Sequence, residues 1–191
     1  MVNRPASAVE WARDFIMPAL AEGSLAVDAT AGKGNDTLFL ASAVGEAGIV
    51  YSFDIQDMAL DITAGRLRQA GLDGRVRLIK DSHSLLKKYI DRPVDAVMLN
   101  LGYLPGSDRT VVTDPVNTVQ AIQAGLDLLS PGGRMSIVVY TGHPGAASEA
   151  RAVAATVAAL QDSFTALRME FWNGPINSPH MYFITRAGES I

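Results

Sequence analysis

The segment Asn100-Leu101-Gly102-Tyr103-Leu104-Pro105-Gly106 follows the apolar run 94–99 and brings together a carboxamide, a turn and an aromatic ring. In an α/β enzyme, chemistry sits just beyond the carboxyl ends of the strands. The side-chain oxygen of Asn100 and the carbonyl of Leu101 can accept the two hydrogens of a primary amine, leaving the nitrogen lone pair free to attack. An alkyl ammonium must first lose a proton, and His83, Asp81 or water can take it. The ring of Tyr103 either stacks on a base or packs beneath the loop. A second segment, Asp28-Ala29-Thr30-Ala31-Gly32-Lys33-Gly34-Asn35-Asp36-Thr37, reads as a nucleotide-cofactor turn. Together the two point to methyl transfer to a nitrogen.

Gly32 and Gly34 allow a tight turn from strand to helix that aims free N–H groups at a phosphate or a carboxylate. The pattern has no third glycine and so departs from the G-x-G-x-x-G dinucleotide fingerprint. By itself it fits equally well a capped helix after a tight turn; read as a cofactor turn, it adds Thr30, Asn35 and Thr37 to its candidate cofactor contacts. Asp54 ends the next apolar run, where a carboxylate accepts both ribose hydroxyls of an adenosine, with Gln56 beside it. That position suits NAD and S-adenosylmethionine alike. Asp81 ends the third run, where it can accept the adenine amine while Ser82 or His83 lines the ring. Acids after both strands favour S-adenosylmethionine, as does a length that leaves little room for a second catalytic domain. Charge agrees, because Asp28 and Asp36 repel a pyrophosphate and attract an ammonium and a sulfonium.

Positioning these residues requires an alternation of strands and helices. The hydrophobic pattern predicts a helix over 5–21, then strands at 25–29, 49–54, 76–80, 94–99 and 134–140. Helices are expected at 35–44, 58–69, 85–90, 115–129 and 146–160. Two last runs, 165–172 and 180–186, have no helix between them and should pair antiparallel. The fold class is α/β: a doubly wound, Rossmann-like, mostly parallel sheet of seven strands with the last antiparallel. Asp114 before Pro115 reads as a helix cap.

The 191 residues suit one domain carrying an N-terminal helix, and 48% hydrophobic against 19% charged residues excludes long disorder. Cysteine is absent, which excludes disulfides and a thiol nucleophile. No signal peptide or membrane span is evident, so a cytoplasmic enzyme is expected. The net charge of −4 is uneven: the eight Lys and Arg between Arg66 and Arg92 face three acids, giving that stretch +5 and the rest −9. This stretch is either a local RNA-contacting face or, more simply, helix-end and edge-strand solubilisation. His83, His143 and His180 lack zinc spacing, so no metal is expected. Tyr103, Pro105, Arg109 and His143 are the candidate substrate contacts.

The glycine segment, extended through Leu38-Phe39-Leu40-Ala41, together with Phe53-Asp54-Ile55-Gln56, Asn100 to Gly106 and Gly142-His143-Pro144-Gly145, resembles the small class I methyltransferases labelled putative rRNA methylases. The resemblance runs from about residue 12 to 186. It implies N-methylation of 5-aminomethyl-2-thiouridine at the tRNA wobble position, with S-adenosylmethionine as donor, the anticodon loop as substrate and a homodimer as the working form. It also implies that Asp54 and Gln56 hold ribose and adenine, the 28–37 turn the methionine moiety, and Asn100 to Tyr103 the target amine. Other readings are methylation of an rRNA base or a small-molecule amine, a non-catalytic RNA-binding module, and a dehydrogenase.

Overall fold

The computed structural model describes residues 7–102, 114–142 and 145–188. The chain enters with helix α1, Ala8–Ile16, which opens on a capping box: Ser7 Oγ accepts the Glu10 N–H, and Glu10 accepts the Ser7 N–H at 2.6 Å. Four strand-helix units follow: β1 (Leu25–Asp28) and α2 (Asn35–Ala43), β2 (Ile49–Asp54) and α3 (Asp57–Ala70), β3 (Val76–Lys80) and the short α4 (Leu86–Tyr89), β4 (Val94–Leu101) and α5 (Pro115–Leu128). The rest is β5 (Leu129–Val139), α6 (Ala146–Ala158) and the pair β6 (Phe164–Met169) and β7 (His180–Arg186). As the sequence predicts, Asp114 caps α5, its carboxylate accepting the Asn117 N–H at 3.1 Å with Pro115 in the first turn.

The strands form one sheet in the order β3-β2-β1-β4-β5-β7-β6. The first five are parallel, and β7 runs antiparallel to both β5 and β6. Strand order reverses between β1 and β4, which makes their carboxyl ends the place for a ligand. Side chains alternate across the sheet, so each strand feeds two cores. One core joins Val27, Phe53, Val97, Leu99, Leu101, Ile137 and Val139 to Leu86, Ile122 and Val153 of α4, α5 and α6. The other joins Ala26, Val50, Ala96, Met98 and Val138 to Ala12, Ile16, Leu40 and Leu67 of α1, α2 and α3. Asn100 continues the Ala96, Met98 series and so belongs to the α1 and α2 face, whereas Leu101 belongs to the α5 face.

Four elements differ from expectation. α1 ends at Ile16, where Pro18 takes the chain into a single 3₁₀ turn over Met17–Ala19 instead of continuing the helix to 21. β4 continues through Asn100 and Leu101, because they pair with Val138 and Val139 of β5; Asn100 is therefore on the strand and held by its ladder. β5 begins at Leu129, with a register shift opposite Val94 and Ala96 that absorbs Ser130 to Gly133, and Gly132 at φ 79° supplies a backbone conformation side chains rarely adopt. β6 stops at Met169, leaving Trp172 on the following loop with 97% of its surface exposed.

Candidate active site

The glycine turn leaves β1 and enters α2 through Gly32 at φ 52° and Gly34 at φ 75°. At Gly34 an added Cβ would come within 2.7 Å of Thr63 Oγ1, so both backbone angle and space call for glycine. Thr63 reaches from α3 to donate to the Gly32 carbonyl at 3.2 Å, and Arg66 donates to the Lys33 carbonyl and, at 2.8 Å, to Asn35 Oδ1. Helix α3 thus braces the turn from behind.

Beneath the turn lies a buried polar cluster on the α2 face of the sheet. Asp28, fully buried, accepts from the Thr37 hydroxyl at 2.6 Å and from the Thr30 N–H at 3.1 Å, and the Thr37 and Ser52 hydroxyls are 2.8 Å apart. Burial, then the nearby charge of Asp36, raises the Asp28 carboxyl from 3.8 to about 7, against the pull of those two hydrogen bonds. At the end of β2, Asp54 accepts the Gly32 N–H and the Gln56 N–H, each at 2.9 Å. It is half-buried and ties the β1 turn to the start of α3.

At the end of β4 the carboxamide of Asn100 is held on two sides. Its backbone N–H donates to Thr30 Oγ1 at 2.8 Å, and its Nδ2 donates to Asp36 Oδ2. Asp36 Oδ1 in turn accepts from Arg13 Nε of α1 at 2.7 Å, and Asp36 is only 5% exposed. A carboxylate admits only the N–H side of the amide, since the flipped amide would set oxygen against oxygen. The side-chain oxygen therefore faces away, and Asn100 Oδ1 is buried with no hydrogen-bond partner among the described residues. The Leu101 carbonyl differs: it already accepts the Tyr140 N–H at 3.3 Å and offers only its second lone pair.

Asp81 and His83 follow β3. Asp81 accepts from the Tyr89 hydroxyl at 2.7 Å, the Ser82 N–H at 2.8 Å and Lys88 Nζ at 3.1 Å. These bonds, the Tyr89 hydroxyl foremost, pull its pKa down to about 2. His83 packs on the α5 side, and burial lowers its pKa against the opposing pull of the Ala29 carbonyl, Asp54 and Asp114. Its Nε2 is buried and, like Asn100 Oδ1, unpartnered. Tyr103, Pro105, Arg109 and His143 lie outside the described residues.

The structure thus brings Asp28, Thr30, Gly32, Gly34, Asp36 and Thr37 together with Asp54 and Asn100; Asp81 and Ser82 follow β3, and His83 turns back toward Ala29 and the start of α5. Sequence reasoning missed Arg13, Ser52 and Thr63. Ser52 and Thr63 carry a weak signal, as polar residues at core-facing positions of a strand and a helix. Arg13 carries none, since only the packing of α1 brings it to Asp36. Half of the eight cations of the basic stretch are paired: Arg75, Lys80, Lys87 and Lys88 face Glu46, Asp57, Asp127 and Asp81. Among the described residues no group of three or more His, Asp or Glu is placed to hold a metal, and no helix is long and apolar enough to cross a membrane.

A glycine turn, an acid after the second strand and a polar residue ending the fourth, on a sheet with an antiparallel seventh strand, define a Rossmann-like class I methyltransferase fold. The family model described as putative rRNA methylase matches residues 50–185. A chloroplastic tRNA (mnm5s2U34)-methyltransferase of Arabidopsis thaliana is 36% identical over 174 residues, covering 85% of this chain; the chain spans 63% of that relative's length. Among solved structures, a putative rRNA methylase of Clostridium thermocellum is 40% identical with a TM-score of 0.93, covering 96% of this chain and 99% of its own. A putative methyltransferase of Streptococcus mutans, solved in complex with SAH, is 37% identical with a TM-score of 0.86, covering 97% and 99%. The chain belongs to the putative rRNA methylase family, within the S-adenosylmethionine-dependent methyltransferases.

Proposed function

We propose that the protein transfers a methyl group from S-adenosylmethionine to the primary amine of 5-aminomethyl-2-thiouridine at the wobble position of tRNA. One observation carries the amine: the buried, unpartnered Oδ1 of Asn100, an acceptor with no donor, at the strand end where the sheet order reverses. A buried acceptor left unpaired costs about 1–3 kcal/mol. An amine N–H satisfies it and leaves the nitrogen lone pair to point elsewhere.

The residues present fit the cofactor. Three carboxylates, Asp28, Asp36 and Asp54, crowd the glycine turn; burial chiefly, and then the charges of Asp36 and Asp54, raise the Asp28 pKa, and an ammonium and a sulfonium relieve the repulsive part. In this proposal Asp54 accepts the ribose hydroxyls, with Gln56, Asp81, Ser82 and His83 toward the adenine and the 28–37 turn around the methionine moiety. When bound, S-adenosylmethionine supplies a methyl group activated by its sulfonium. Asn100 Oδ1 would accept an N–H of the amine and so orient its lone pair toward the donor's methyl group. The amine must arrive neutral. Asp81, at about 2, is too weak a base to take its proton, which leaves neutral His83 or water. The proton released from the methylated nitrogen goes to solvent. The protein works in this proposal as a cytoplasmic homodimer on the anticodon loop, whose splayed bases suit pocket recognition despite the net negative charge.

The test is mass spectrometry of nucleosides from tRNA carrying 5-aminomethyl-2-thiouridine, after incubation with the purified protein and S-adenosylmethionine. Conversion to 5-methylaminomethyl-2-thiouridine is expected. Unchanged tRNA beside a methylated rRNA or small amine would replace the proposed substrate.

A further inference from the structure

Asp28 is wholly buried beneath the glycine turn, and both of its oxygens are taken, by the Thr37 hydroxyl at 2.6 Å and the Thr30 N–H at 3.1 Å. A ligand at the turn meets its charge, not its oxygens. The charges around it come from every element packed there. Asp36 of α2 and Asp54 of β2 both act on it, and Arg13 of α1 is bonded to Asp36. Arg66 of α3 holds the Lys33 carbonyl and Asn35, and the Lys33 side chain is exposed. After β3, burial pushes His83 toward its neutral form, and beyond β5 burial and the charge of Asp36 keep the Tyr140 hydroxyl protonated. Three carboxyl groups thus share one paired cation, and among the described residues no cation forms an ion pair with Asp28. A carboxylate buried beside like charge takes up a proton.

The hydrogen bonding accommodates Asp28 in either form. Thr37 Oγ1 and Ser52 Oγ are both fully buried and lie 2.8 Å apart, and either can donate to the other. With Asp28 ionised, the Thr37 hydroxyl donates to the carboxylate and accepts from Ser52. With Asp28 protonated the chain reverses, the acid donating to Thr37 and Thr37 to Ser52. No heavy atom has to move, so the proton comes and goes without loss of a bond between Asp28 and Thr37.

We infer that Asp28 distinguishes methyl donor from product by charge: protonated in the empty site, it releases its proton to solvent when the cationic S-adenosylmethionine binds, and regains one when the net-neutral product S-adenosylhomocysteine (SAH) is left. The carboxylic O–H bond breaks with no redox change, and the positive charge of the ligand replaces that of the proton. The two ligands differ by one methyl group and one unit of charge, and a buried carboxylate feels the charge far more than the methyl. Methyl transfer thereby removes the charge that favoured the bound state. This rests on the proposed placement of the methionine moiety at the 28–37 turn and is independent of which amine accepts the methyl group.

Calorimetry of the wild-type protein at pH 7, in two buffers of different ionisation enthalpy, counts the protons released. S-adenosylmethionine is expected to release roughly half a proton, the share of Asp28 still protonated there, and SAH clearly less. From pH 6 to pH 8 the affinity for S-adenosylmethionine should rise more steeply than that for SAH, by at most about tenfold per pH unit. Equal proton counts with parallel pH profiles would overturn the inference. Infrared difference spectra of the wild-type protein give a second reading, in which the carbonyl band of a buried protonated carboxyl disappears on addition of S-adenosylmethionine. Asp28→Asn should lose that band, the proton release and the pH-dependent preference for S-adenosylmethionine. Proton release that survives in Asp28→Asn would place the proton on another group and overturn the role of Asp28. Binding of S-adenosylmethionine with neither proton release nor a band change would overturn the inference and leave the cofactor placement standing, whereas binding of neither ligand would overturn both.

Discussion

At the carboxyl end of β1 both oxygens of Asp28 are occupied, by Thr37 and by the Thr30 N–H, and the turn above is fastened by Asp54, Thr63 and Arg66. One strand away, at the end of β4, Asn100 is gripped on its backbone and its Nδ2, yet its Oδ1 is buried and unpaired among the described residues. The two ends are neighbours in the sheet and share Thr30 and Asp36, so the difference does not come from position. The β1 end is a finished receptor whose geometry is set before a ligand arrives, while the β4 end is a fixed frame that lacks one donor. Buried polar groups in folded proteins nearly always have partners. In the proposed function, this exception is where the substrate amine completes the bonding.

Four substitutions separate the two ends. The second largest effect is expected at the finished receptor. Asp54→Ala removes the proposed ribose acceptor and two anchors of the turn, and should weaken S-adenosylmethionine binding by on the order of 100-fold, as loss of hydrogen bonds to a charged group does. Calorimetry reads this directly, and affinity within threefold of wild type would remove Asp54 from the cofactor site.

Arg13→Met tests the frame behind Asn100. Asp36 loses its cationic partner, the amide is less firmly oriented, and kcat should fall by roughly tenfold, with S-adenosylmethionine affinity unchanged and partial recovery in Arg13→Lys. An equal fall in Arg13→Lys and Arg13→Met, or a loss of cofactor affinity alone, would mean that Arg13 serves the fold or the turn.

The smallest effect is thermodynamic. Asp28 ionises near 3.8 in the unfolded chain and near 7 in the fold, so between those values the folded state holds the extra proton. Stability from this group therefore falls as pH rises from about 4 to about 7 and stays lost above that. Asp28→Asn cannot ionise. Its Tm relative to wild type should improve steadily from pH 4 to pH 8, and a difference that does not change with pH would contradict the raised pKa.

How much of this was legible in the sequence depended on the range of the interaction. Asp114-Pro115 is a local rule and the structure shows the cap it announces, as it shows a tight turn at Gly32 and Gly34 and Asp54 ending the next strand. The end of β4 was misplaced because asparagine fits strands poorly on average, whereas the ladder with Val138 and Val139 decided it. The amine-orienting idea could be formed from residue types, but the reason Asn100 presents its oxygen could not. That reason is Arg13 on Asp36, a contact across 23 residues made by helix packing, with no spacing or charge pattern to announce it. The family and fold were readable because several short motifs occur together in order along the chain.

The most direct test is Asn100→Ala, assayed on tRNA bearing 5-aminomethyl-2-thiouridine, with S-adenosylmethionine affinity measured on the same preparation. Loss of one positioned hydrogen-bonding group at a reacting centre lowers kcat by about 10²–10³. That fall, with cofactor affinity within twofold of wild type, is the expected result. A kcat within twofold of wild type would contradict the role assigned to the unpaired oxygen of Asn100.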